Sequence, residues 1–434
     1  MNKHPNKVKN TLLALIQKMS QNPTPYVRNP GKDFTRTRKL PFETIMKFLI
    51  SMGGNSICKE LLDATDYAEN TATTSAFIQQ RDKILPSAFE MLFREFTETH
   101  SNVSTYRGYR LLAADGSNLY SPTNPNDSET YMQNQYEKGY NLSHLNALYD
   151  LQSKIYVDAL VQPCRHMNEG KALSDMVERS QITEKTIIVA DRNYESYNNF
   201  VHIERKGWNY VIRVKDLGST GILSGLRLPS GGEFDICINK ILTRKQTNEV
   251  KENPNVYKFM PSCSTFDFLD KEVQFFPISF RIVRIKIGNF YETLITNLDT
   301  LDFPPDELKE IYRIRWGIET SFRELKYSVG LTSFHAKKQE YIVQEIFARL
   351  IMYNFAEMIT SYVVISQADT KHACQVNFTV AIHICRYFLR LPRNALPPDV
   401  EALIRKSVLP VRTGRKAKRM IQKKGSTSFL YRVA

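Results

Sequence analysis

The chain has 434 residues, 42% of them hydrophobic, which is enough to fill real cores in two or three domains and excludes disorder for most of its length. Lys and Arg outnumber Asp and Glu by 59 to 45, and the formal charge of +14 favours a polyanionic partner, either nucleic acid or an anionic membrane. No run of about twenty apolar residues occurs, and the stretch Thr11–Ile16 is too short for a secretory signal, so no membrane span and no export are expected.

The charge is concentrated at the two ends. Residues 1–39 hold nine bases (Lys3, Lys7, Lys9, Lys18, Arg28, Lys32, Arg36, Arg38 and Lys39) against one acid, Asp33, and residues 405–434 hold ten bases and no acid. The six cysteines (Cys58, Cys164, Cys237, Cys263, Cys374 and Cys385) are scattered without a Cys-x-x-Cys pair, and the eight histidines do not cluster with them. Neither disulfides nor zinc are expected, and a reducing cytoplasm fits.

From Pro41 to Thr99 apolar residues recur at helical spacing (Phe42, Ile45, Phe48, Leu49, then Phe89, Leu92, Phe93, Phe96), interrupted by Gly53, Gly54 and Pro86. Several short helices are predicted. Within them, Thr73–Leu85 carries Gln79, Gln80, Arg81 and Lys83 on a polar face, which suits either a helix that reads a DNA groove or the solvated side of a bundle helix.

The pattern changes at Tyr109. Strands are predicted over Arg110–Ala114, Leu142–Tyr149, Ile155–Val161, Thr186–Ala190 and Trp208–Val214, with helices over Glu169–Arg179 and Tyr197–Lys206, an order that implies a mixed sheet flanked by helices. Between Lys215 and Asn297 the helical period gives way to short alternating stretches such as Phe234–Ile241, Val273–Phe280 and Arg281–Ile287, read as a β-rich insertion, with Tyr291–Thr296 as a returning strand. Pro304 and Pro305 open a long helix with Asp306 and Glu307 in its first turn, as the helix dipole favours. Further helices are predicted over Gln339–Val364 and Val376–Leu389, before the basic tail.

Three acids stand out. Asp115 follows the apolar strand LLAA and precedes Gly116; Asp191 follows the strand TIIVA and precedes Arg192, Asn193 and Tyr194. The third lies in the predicted helix Ile311–Leu325, where about 100° per residue puts Tyr312, Arg315, Glu319, Arg323 and Lys326 on one face. Two of them have an ordinary reading taken alone: an Asp-Gly hairpin turn for Asp115, and for Glu319 a surface helix joined by Arg315–Glu319 and Glu319–Arg323 pairs. Those readings do not explain why two strands ending in Asp should be followed by such a helix. Carboxylates gathered at strand ends repel unless a hard cation such as Mg²⁺ neutralises them, and cations beside them suit a phosphodiester.

These residues resemble the DDE transposases, specifically the bacterial group named after insertion sequence four, whose mark is Tyr, two residues, Arg, three residues, Glu, six residues, Lys. Tyr312, Arg315, Glu319 and Lys326 match every spacing, and Asp115 in ADGS and Asp191 in ADRNY precede them in order. The resemblance covers roughly Arg110–Met352.

It implies an α/β chain with a ribonuclease-H-like catalytic core interrupted by a β-rich insertion. The expected divisions are 1–105, a helical DNA-binding domain with a basic arm; 106–214, the first part of the core; 215–290, the insertion; 291–352, the second part of the core with the third carboxylate; and 353–434, a helical region with a basic tail.

The resemblance further implies that Asp115, Asp191 and Glu319 ligate two Mg²⁺ ions, Mn²⁺ being able to substitute, with no small-molecule cofactor. Tyr312, Arg315 and Lys326 would contact DNA phosphates. The helical geometry adds Arg323, and proximity to the second Asp adds Arg192 and Tyr194. Implied partners are the terminal inverted repeats, target DNA and a second copy of the chain, in a bacterial cytoplasm at the nucleoid. The implied chemistry is hydrolysis at the element ends, hairpin formation and opening, and transfer of the 3′ hydroxyl into target DNA. A non-catalytic DNA-binding relative and a nuclease that cuts without joining are the alternatives. Trp208 and Trp316, the two tryptophans, are read as packing residues.

Overall fold

The structure, a computed structural model, describes residues 2–36, 39–99, 103–133, 139–365, 373–392 and 395–411. The tail bases Arg412, Arg415, Lys416, Lys418, Arg419, Lys423 and Lys424 lie outside the described residues, as does Arg38.

The chain opens with five helices, α1 (Lys3–Gln21), α2 (Phe42–Ser51), α3 (Ile57–Ala64), α4 (Thr74–Arg81) and α5 (Pro86–Glu98). Then come β1 (Arg110–Ser121), β2 (Tyr131–Met132), β3 (Tyr140–Asp150), β4 (Ile155–Pro163), α6 (Glu169–Arg179), β5 (Thr186–Ala190), α7 (Tyr197–Arg205) and β6 (Asn209–Val214). The next segment adds β7 (Phe234–Thr243), α8 (Asn248–Glu252), β8 (Tyr257–Phe259), β9 (Phe275–Ile287) and β10 (Phe290–Thr296). It is followed by α9 (Pro305–Ile314), α10 (Trp316–Tyr327), α11 (Gln339–Thr360), β11 (Cys374–Val376), α12 (Phe378–Arg390), α13 (Val400–Lys406) and β12 (Val408–Pro410).

Ten strands share one mixed sheet in the order β2-β3-β1-β5-β6-β10-β9-β7-β8, with β4 also paired to β3. β1, β5 and β6 run parallel to one another, while β3 and β10 are antiparallel to their neighbours β1 and β6. The 215–290 stretch builds no separate sheet: β9 pairs with β10 and β7 with β9, so they extend the sheet begun by β1.

Alternation along the central strands sends side chains to two cores. Leu111, Ala113, Ile187, Val189 and Val211 face the side of α5, α9, α10 and α11, whereas Leu112, Ala114, Ile188, Ala190 and Ile212 face α6 and α7.

α11 is the axis of the helical part, buried along nearly its whole length against α1, α2, α5 and α12. Its polar residues find partners inside. Arg81 of α4 meets Glu345 at 2.9 Å, both side chains 1% exposed, and also donates to Gln344 and to the Tyr341 carbonyl. Arg349 donates to the carbonyls of Met52 and Gly53, and Arg390 pairs with Glu60 at 2.7 Å.

Two expectations change here. The basic N-terminal stretch is largely helix α1, and Lys9 is buried, its Nζ donating to the carbonyls of Phe388 and Leu391 at the end of α12, where a cation complements the helix dipole. Arg81, read from sequence as part of a polar face, points inward to α11. No helix among the described residues is long and apolar enough to cross a membrane.

Candidate active site

The parallel ladder between β1 and β5 ends at Ala114↔Ala190. β1 then continues to Ser121 paired with β3 alone, which excludes a hairpin turn at Asp115-Gly116. Asp115 is therefore not at the end of its strand, as the sequence suggested, but at the end of its pairing with β5. Asp191 is the first residue beyond β5 and keeps an extended backbone (φ −85°, ψ −178°). Both acids sit two residues beyond side chains that face α10 (Ala113 and Val189), so the period of two carries both carboxylates to that face.

The predicted continuous helix over 311–325 is broken at Arg315 into α9 and α10. The bonds tighten there to three-residue spacing, Arg315 N–H to the Tyr312 carbonyl at 3.1 Å and Ile318 N–H to the Arg315 carbonyl at 3.1 Å. Beyond the break, Gly317 allows a close approach to the sheet, because a Cβ there would lie 3.0 Å from Leu151 Cδ2. Ile318, Ser321, Phe322 and Leu325 bury the inner side of α10, and the Ser321 and Tyr156 hydroxyls bond at 2.8 Å. This anchoring leaves Glu319 directed at the strand ends.

Arg315 lies between two of the acids, its Nη1 3.4 Å from Asp115 Oδ2 and its Nη2 2.8 Å from Glu319 Oε1. Burial pushes the Asp115 carboxyl up to about 6; the Gly116 amide and Arg315 pull it down, and Asp191 and Glu319 push it up again. Burial opposes the Arg315 charge, but Tyr312, Glu319 and Asp115 outweigh it and hold the guanidinium above its usual value. Asp191 accepts a 2.9 Å bond from the Asn193 amide.

The donor set is three carboxylates, the chemistry of a hard divalent cation. Among the described residues no three His, Cys, Asp or Glu side chains are drawn together tightly enough to enclose an ion. Arg315 pairs with two of the three acids, and Lys326 and Arg192 lie on the same face.

The other residues singled out from the sequence fall into three groups. Tyr312 is buried, with its ring 5.6 Å from the Arg315 guanidinium and its hydroxyl beside Arg213 in no well-aligned hydrogen bond. Tyr194 is 1% exposed and its phenol is within electrostatic reach of Asp115 and Asp191. Lys326 reaches back across the site to the Asn118 carbonyl at 2.9 Å, and Arg192 is exposed beside Asp191. Arg323 is set apart: it lines a cavity of about 790 Å³ with Lys154, Thr320, Glu324 and Glu357.

Sequence reasoning missed two features. Trp208 packs as expected, but Trp316 is 56% exposed, with its ring 5.9 Å from the Arg315 guanidinium. Its neighbours are the site, and its position three residues before Glu319 was the available signal. His144 and Glu169, 2.9 Å apart, stand behind Gly116; no local motif marks them.

The transposase DDE domain family model matches residues 106–355, more than half of the chain. Transposase InsG for insertion sequence element IS4, from Escherichia coli (strain K12), is 20% identical over 392 residues, covering 85% of this chain and 81% of that protein. The piggyBac transposase synaptic complex with hairpin DNA, seen by cryo-EM, superposes with a TM-score of 0.47 and 11% identity over 95% of this chain and 87% of that one. The chain belongs to the family of the transposase DDE domain, and is an enzyme of DNA cleavage and strand transfer.

Proposed function

We propose that this enzyme is the transposase of a bacterial insertion sequence, with Asp115, Asp191 and Glu319 as its catalytic carboxylates on a ribonuclease-H-like core. The observation that carries this reading is the meeting of Asp115 and Glu319 at one guanidinium, with Asp191 near enough to act on the Asp115 carboxyl. The strand order β4-β3-β1-β5-β6, an antiparallel group joined to a parallel pair, supports the core assignment.

The three carboxylates would hold two Mg²⁺ ions, which supply an activated attacking oxygen and stabilise the leaving one. The rest is the work of the chain. Asp115 is oriented by the Gly116 amide at 2.8 Å and Asp191 by that of Asn193, so both carboxylates are fixed before DNA arrives. Arg315, now the counter-charge of Asp115 and Glu319, is placed to meet the scissile phosphate. Lys326 and Arg192 flank the same face; Tyr312, being buried, supports Arg315 from beneath. Trp316 offers an exposed ring for a base beside the cut.

The reaction assigned is hydrolysis that frees a 3′ hydroxyl at the element end. Attack by that hydroxyl on the opposite strand forms a hairpin, which is then opened, and the 3′ end is transferred into target DNA. Two ends imply two active sites, hence a dimer assembled on DNA. The N-terminal helical domain and the basic ends are assigned to the inverted repeats, in a bacterial cytoplasm at the nucleoid.

Product analysis tests this. Purified protein given a precut end, target plasmid and Mg²⁺ should yield joined strands. Cutting without joining would make it a nuclease, and specific binding without cutting in any metal would make it a DNA-binding relative.

A further inference from the structure

The side of β1 turned away from α10 carries a polar cluster that the proposed reaction does not use. His144 of β3 puts Nδ1 2.7 Å from the Asn118 amide oxygen and Nε2 2.9 Å from Glu169 Oε1. The second contact is close but poorly aligned for a hydrogen bond, and Nε2 has no well-formed partner. Asn146, paired in register with Gly116, has a buried, unpartnered Oδ1, and the buried Tyr194 hydroxyl is likewise unpartnered. Glu169 is the carboxylate with the strongest electrostatic effect on that phenol.

His144 and Glu169 close on one glycine, with Asn146 opposite it in the ladder. A Cβ on Gly116 would lie 2.2 Å from His144 Nε2 and 2.7 Å from Glu169 Oε1, so any side chain there would have to displace the pair. The Gly116 φ is not in the left-handed region, so it is close approach and not backbone freedom that requires glycine. The Gly116 N–H, in turn, is the donor that orients Asp115. Buried polar atoms without partners cost stability, so three of them packed behind one catalytic strand are poorly explained as core filling.

We propose that His144 and Glu169, closed in by Asn146 and Tyr194, are positioning residues that act through Gly116 to fix the Asp115 carboxylate for its metal ion. The inference rests on the reading of Asp115 as a metal ligand. Groups that orient a metal ligand from behind change metal affinity when removed, even though they never touch the ion.

The test uses the full chain with a labelled transposon-end duplex, comparing wild type with Glu169→Gln, His144→Gln, Gly116→Ala and Asp115→Asn. Cleavage is titrated with Mg²⁺, and Mn²⁺ binding to the DNA-free protein is followed separately by electron paramagnetic resonance. Glu169→Gln and His144→Gln should retain the fold and DNA binding, yet weaken Mn²⁺ binding and raise the half-saturating Mg²⁺ about 10-fold or more. Gly116→Ala should show the same shift or a larger one. Wild-type metal affinity in both Glu169→Gln and His144→Gln, with Asp115→Asn inactive, would overturn the positioning role and leave the catalytic reading intact. Full cleavage by Asp115→Asn would remove the catalytic reading and this inference with it.

Discussion

Two places in this molecule draw charged side chains together, and they settle them differently. Around α11 the cations Arg81, Arg349, Arg386 and Arg390 outnumber Glu60 and Glu345, but main-chain carbonyls of Tyr341, Met52, Gly53, Val329 and Ser51 take up the excess donors. Where the β1–β5 ladder ends, Asp115 and Glu319 share the one guanidinium of Arg315, and burial with the neighbouring acids raises the Asp115 carboxyl in spite of the Gly116 amide. In the first cluster nearly every donor is met from within the protein, the buried Arg386 Nε being an exception. In the second the Asp115 carboxyl stays above its ordinary range, which a bound cation would reverse, and a carboxylate so perturbed is a candidate for a functional site.

The comparison breaks most sharply on substitution at each cluster. Asp115→Asn or Asp191→Asn should abolish cleavage of a labelled end while changing urea-melt stability by less than about 1 kcal/mol, since each removes repulsion along with a ligand. Arg81→Met should do the reverse: stability falls by about 3 kcal/mol because the buried Glu345 loses the guanidinium that meets it and keeps His335 as its side-chain partner. Cleavage per folded molecule should hold. Equal stability of Arg81→Met and wild type would show that the α11 cluster is not structural.

A gentler contrast lies within α11 itself. Burial opposes the charge of Glu345, but Arg81, His335 and Arg349 outweigh it, so its carboxyl is held below the ordinary 4.5. Its contribution is complete above 4.5 and is lost as the pH falls through the depressed value. For Glu357, about three turns further on, burial aided by Glu324 outweighs Lys154 and the Thr360 hydroxyl and pushes the carboxyl up to about 8. A raised acid works the other way: stability declines as pH climbs from 4.5 to about 8. Stability curves of Glu357→Gln should therefore lack the decline that wild type shows over that window. The smallest effect is expected at Arg323, which lines the cavity beside Glu324: Arg323→Ala should leave cleavage near the wild-type rate.

The sheet was legible in the sequence because its signals are local. The elements Thr186–Ala190 and Glu169–Arg179 emerge with their predicted bounds, since an unbroken apolar run and a helical stripe each specify themselves. The spaced helix face foreshadowed the Arg315–Glu319 pair, whereas the junction read at Asp115 proved to lie within β1. What was hidden depends on partners distant in sequence. Nothing near Arg81 announces Glu345, and nothing near Gly116 announces His144 and Glu169. Trp316 was read as packing because tryptophan usually is; its exposure is a property of the tertiary arrangement.

The central claim is the proposal that Asp115, Asp191 and Glu319 form the metal-dependent cutting site. The most direct measurement is cleavage of a labelled transposon end by wild type and Glu319→Ala, each with Mg²⁺ and with EDTA, alongside a binding assay on the same duplex. The account predicts cutting by wild type with Mg²⁺ only, none by Glu319→Ala in either condition, and equal binding by both proteins. Cutting by Glu319→Ala at the wild-type rate would contradict it.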